Sequence, residues 1–164
     1  MTDDDRGPAG ADPGRRGRER AILAFATAGF FALLVFALGM VSLLTGEAVI
    51  AEPGLGQAPG ILGAILAVAG FAAVTAWALP RGRAGAGSAV LTGLVAAASY
   101  CVGVAVGATV TGTDPLRALG IGASLAVSWV AAVIVIAGAL AGAGAAVAAR
   151  SGPGVPRWPW ERDE

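Results

Sequence analysis

The chain has 164 residues, 56% of them hydrophobic and 13% charged, with a formal net charge of zero and a mean hydropathy of +0.75. Soluble domains carry about a quarter charged residues, and a chain this short has too little interior to hide so much apolar surface from water. His is absent and Cys101 is alone, which removes the commonest general base and metal ligand and excludes an internal disulfide or a paired-thiol redox centre.

Residues 1–20, MTDDDRGPAGADPGRRGRER, are polar and rich in Gly, Pro and charge. Such a segment buries no core, and disorder is expected. Residues 21–45 then run without a charge, and thirteen of them are Leu, Ile, Val or Phe. About 20 apolar residues suffice for a helix to cross the hydrocarbon, and a run this long exceeds the apolar core of a signal peptide. A first membrane span is therefore predicted, with the basic segment as its uncleaved anchor.

Gly46 to Gly60 reads as a loop carrying Glu47 and Glu52, two solvated carboxylates without the oxygen set that a cation site needs. A second span is predicted over 61–79, ended by Pro80 and Gly82, and a third over 88–110 after a short Gly-rich turn. The last apolar run, 119–149, is longer than a bilayer requires, and the span within it is placed at 119–142. A Pro- and Trp-rich tail, 150–164, closes the chain. Its Trp158 and Trp160 suit either anchoring at the headgroups or docking to a protein, with anchoring preferred.

All eleven cations are Arg, and with four spans ten of them fall on one side. The positive-inside rule makes that side cytoplasmic, with both termini in the cytoplasm. The expected fold is all-α: a membrane domain over residues 21–149 forming an up-down antiparallel four-helix bundle, in which sequential helices are neighbours.

The third span carries small residues at alternating steps of four and three, with Gly93, Ala96, Tyr100, Gly103 and Gly107 on one face. The fourth has a similar face with Ser124, Ser128, Gly138 and Gly142. Lipid tails provide no hydrophobic force between helices, so close approach and dispersion hold them together, and small residues permit that approach. These two faces are expected to pack as an antiparallel seam. Ser124 or Ser128 is the expected partner of the buried Tyr100 phenol, and Thr27, Thr75 and Thr92 are expected to bond carbonyls of their own helices.

No ionisable residue lies inside the spans, whereas ion-coupled transporters place one there. Small multidrug exporters of this size depend on a Glu in the first span, and none stands in 21–45. No catalytic, metal-binding or cofactor-binding constellation is present, and no nucleic-acid-binding motif. Arg in place of Lys, Ala- and Gly-rich spans and the RWPWERDE tail together resemble the uncharacterised small four-span membrane proteins of actinobacterial type, a group that implies no activity.

The functional expectation is a non-catalytic subunit or scaffold of a bacterial cytoplasmic membrane, in contact with lipid and acting by helix association with a membrane-protein partner or with its own copies. The alternative is an oligomeric pore or facilitator for a small neutral or apolar solute.

Overall fold

The computed structural model describes residues 13–46, 56–83 and 85–151. The described chain is all-helical: α1 (Pro13–Thr45), α2 (Ala58–Ala78), α3 (Ala86–Val110), α4 (Pro115–Ala126) and α5 (Trp129–Arg150). Four of these, α1, α2, α3 and α5, are long and apolar enough to cross a membrane. Glu47, Glu52, Trp158 and Trp160 lie outside the described residues.

The first helix starts at Pro13, inside the segment whose composition suggested disorder. Proline is tolerated in the first helical turn, where its missing N–H has no intrahelical acceptor. A helix already nucleated by the apolar run extends into polar sequence at little cost, and the Arg15–Glu19 pair, 3.0 Å apart, supports the extension across one turn. At about 1.5 Å per residue the 33 residues of α1 reach ~50 Å, well beyond a ~30 Å hydrocarbon core.

The expected fourth span is two helices. Asp114 caps α4 through Oδ1, which accepts from the Leu116 and Arg117 N–H groups, and Pro115 opens the first turn. The helix stops at Ala126 and α5 restarts at Trp129, running to Arg150, past the expected limit at 142.

Two glycine turns reverse the chain around α3. At Gly82 (φ 62°) the Arg83 N–H reaches Ala78 O and the Gly82 N–H reaches Leu79 O. At Gly112 (φ 94°) the Thr113 and Gly112 N–H groups repeat that pattern on Ala108 and Thr109. Both are Schellman closures, which need a left-handed residue.

The helix α3 is the central column, packed against α2, α4 and α5, while α1 sits at the periphery. Contrary to simple sequential order, α1 packs more extensively on α5 than on α2. Its connection to α2 is long enough not to force adjacency, and large residues of α1 fit the small ones of α5. Phe30, fully buried, stacks on Phe71 of α2 with ring centroids 4.5 Å apart and lies over Gly138 of α5. That single ring ties α1 to both neighbours. Arg18 and Arg150 line one cavity with Gly82, so the start of α1, the α2–α3 turn and the end of α5 share one end of the molecule.

Candidate functional site

The small residues of α3 meet two different helices. At the Arg-rich end α3 crosses α5 so closely that a Cβ added at Gly93 would lie 2.4 Å from Val135 O, and one at Gly138 would lie 2.7 Å from the Gly93 Cα. Gly142 sits against Ala89 in the same contact. Toward the opposite end the partner is α2. A Cβ at Gly103 would lie 2.7 Å from the Gly63 Cα, and one at Gly107 would lie 2.6 Å from the Pro59 Cα.

Steps of four and three keep these positions on one face, but Gly93 and Gly103 stand about 80° apart around the helix. The face therefore looks into the angle between α2 and α5, with Ala96 and Tyr100 fully or almost fully buried in between. Gly103 and Gly107 do not meet the fourth span. They meet Gly63 and Pro59 of α2 instead, on a face that spacing alone also offered, since Pro59, Gly63, Ala67 and Phe71 follow one another at four-residue steps and are all buried.

The structure does not bring Tyr100 to either serine. Its ring lies against Gly63 and borders a cavity of about 450 Å³ reached by Leu34 and Leu38 of α1. Ser124 Oγ donates to Ile121 O at 2.8 Å and Ser128 Oγ donates to Leu125 O at 2.7 Å.

These two bonds belong to the interruption of the span. The Val127 and Ser128 N–H groups bond carbonyls three residues back, Ser124 O and Leu125 O, so the last turn of α4 tightens. Ser128 then becomes extended (φ −90°, ψ 168°), and its Oγ accepts from the Val130 N–H to cap α5. A hydroxyl thus supplies the capping bond that water would make at a surface. Thr27 and Thr92 bond their own helices at Leu23 O and Ser88 O, as hydroxyls in helices do, whereas the buried Thr75 Oγ1 has no partner among the described residues.

Because the helix axis breaks, α4 leans on α3 instead of continuing α5. A Cβ at Gly122 would lie 2.9 Å from Cys101 O. Between α3, α4 and α5 an apolar groove of about 460 Å³ opens on the outer face of the bundle. Its walls are dominated by small residues, among them Ala98, Ala105, Gly122, Ala126 and Ala131, with the half-buried Cys101 thiol on its side. Among the described residues, the Cys101 thiol is the one ionisable side chain in the lining of the groove. Its shape and small residues suit the close approach of another apolar backbone.

The family model that matches the chain is described as Family of unknown function (DUF6121) and covers residues 14–164. No curated protein and no solved structure matches it.

Proposed function

The chain belongs to this family of unknown function, and from that premise we propose that it is a non-catalytic subunit of a bacterial cytoplasmic-membrane assembly, acting by lateral helix association. The observation that supports this reading is the groove between α3, α4 and α5, open to the lipid and walled by alanines and glycine. In lipid the gain from association comes from dispersion and fit, and a groove of small residues lets a partner helix approach closely. The occupant is a transmembrane helix of another membrane protein, apolar at the matching depth because the groove offers it no charge.

Cys101 makes the proposal testable with the native sequence, since it is the single cysteine and borders the groove. A membrane-permeant photoactivatable maleimide on Cys101, irradiated in native membranes, is expected to give one discrete heteromeric adduct. Ala98→Phe or Ala126→Phe, which fill the groove from exposed positions, are expected to abolish it. Adducts with lipid alone, or an adduct indifferent to both substitutions, would overturn the proposal. Adducts made only of this chain would shift the reading to self-association, which the alternative of a facilitator built from several copies requires. Within one copy, α3 meets α5 and α2 backbone to backbone, so the facilitator reading has a solute pass between copies.

A further inference from the structure

A second, separate feature lies on the other side of α5. At the Arg-rich end a cavity of about 290 Å³ is lined by Arg15, Arg18 and Arg150, with Glu19 as the one carboxylate on its wall among the described residues. Below it, a groove of about 400 Å³ runs between α1 and α5. The two share Arg18 and Ile22 in their walls, so the charged cavity borders the apolar groove. The groove continues along α1 as far as Leu33, fifteen residues beyond Arg18, which is roughly 22 Å of helix and more than one leaflet of hydrocarbon.

We infer that this cleft is a binding site for one anionic phospholipid, its phosphate held by Arg15, Arg18 and Arg150 and an acyl chain laid between α1 and α5. Each guanidinium is fixed at the mouth by a bond that uses only part of its five donors. Arg18 Nη2 donates to Ala148 O at 2.8 Å and to Ser151 O, Arg150 Nε donates to Ala146 O at 3.2 Å, and Arg15 Nε donates to Glu19 at 3.0 Å. Three cations are thus held at one mouth with one carboxylate beside them, an arrangement that an anion relieves.

Among the described residues, no side chain fills the groove beneath. Gly29 and Gly144 both line it, and a Cβ added at either would meet no atom within 4 Å. This contrasts with the glycines of the α3 crossings, which are filled by a neighbouring backbone. A free phosphate would use the mouth and leave the groove without a role; a phospholipid uses both. The inference does not depend on the helix-association groove, which is walled by other residues.

The test uses the purified full-length chain in detergent micelles, titrated with dioleoyl phosphatidylglycerol or with dioleoyl phosphatidylcholine and followed by native mass spectrometry and thermal unfolding. A saturable one-to-one adduct and a raised Tm are expected with the anionic lipid, and neither with the zwitterionic lipid of identical chains. Arg15→Gln with Arg150→Gln is expected to weaken the anionic adduct by roughly tenfold or more, given about 1 kcal/mol per surface Arg. Gly144→Leu is expected to remove the adduct while leaving the Tm without lipid unchanged, because the added side chain enters empty space. Equal binding of both lipids would overturn the inference. So would full competition by inorganic phosphate together with indifference to Gly144→Leu, which would leave an anion site and no lipid site.

Discussion

Gly93 and Gly29 show how one residue type does opposite things in this molecule. Gly93 lies where two backbones touch, and any side chain there must displace α5. Gly93→Leu is therefore expected to destabilise the bundle by at least ~1–3 kcal/mol, the usual cost of overpacking. Val102→Leu, on an exposed flank of α3, is expected to be neutral, and unfolding titrations in mixed micelles will compare the two. Equal losses would mean that the crossing is not specific. Thr75 gives a prediction of the opposite sign. It is 5% exposed and its hydroxyl has no partner among the described residues, and a buried unsatisfied hydroxyl costs roughly 1–3 kcal/mol. Thr75→Val keeps the shape and removes that penalty, so stability is expected to hold or rise in the same titration. A clear loss would show that the hydroxyl is bonded.

At the level of the elements, the spans were legible because charge-free runs of membrane length have few other meanings in a chain this apolar. The interrupted fourth span was not, because its break contains neither Pro nor Gly. The usual markers of a kink are absent from ASLAVSW, and a run of apolar residues reads as one helix whether or not its axis is continuous. The signal was present in Ser128, an N-capping residue followed by a helix, and in the Asp114–Pro115 pair that starts α4 well before Leu119. The seam was half legible for a similar reason. Spacing shows which residues share a face, but it leaves open which helix that face meets, and Gly103 and Gly107 meet α2.

The cap at Ser128 can be weighed directly. Ser128→Ala is expected to cost ~0.5–2 kcal/mol and to speed hydrogen exchange at the first amides of α5, leaving α3 protected. Ser124→Ala, whose hydroxyl bonds only Ile121 O among the described residues, is expected to do neither. An unchanged exchange pattern in Ser128→Ala would mean that the break is held by packing alone.

For the whole molecule, the two ends are unequal, and this bears on how it sits in a bilayer. Helix α1 is some 20 Å longer than a hydrocarbon core requires. Its excess must lie at the Arg-rich end, since placing Arg15, Arg16, Arg18 and Arg20 in hydrocarbon would cost about 2.5–3.5 kcal/mol each at the centre. Helix α5 extends beyond Gly142, which packs against Ala89 three residues from the start of α3, and its end is bonded by Arg18 through Ala148 O and Ser151 O. The two helices are therefore expected to leave the membrane together as a short paired stem. Among the described residues this end carries seven arginines against Glu19, while the other end carries Arg117 beside Asp114. By the positive-inside rule the stem is expected on the cytoplasmic side. On a Cys101→Ala background, Ser151→Cys at the stem and Thr111→Cys at the opposite turn report the two ends. An impermeant maleimide added to intact cells is expected to label Thr111→Cys alone, with Ser151→Cys labelled only after permeabilisation. The reverse pattern would invert the molecule in the membrane and place the arginine cavity on the outer leaflet. Labelling of both positions in intact cells would break the four-span topology itself.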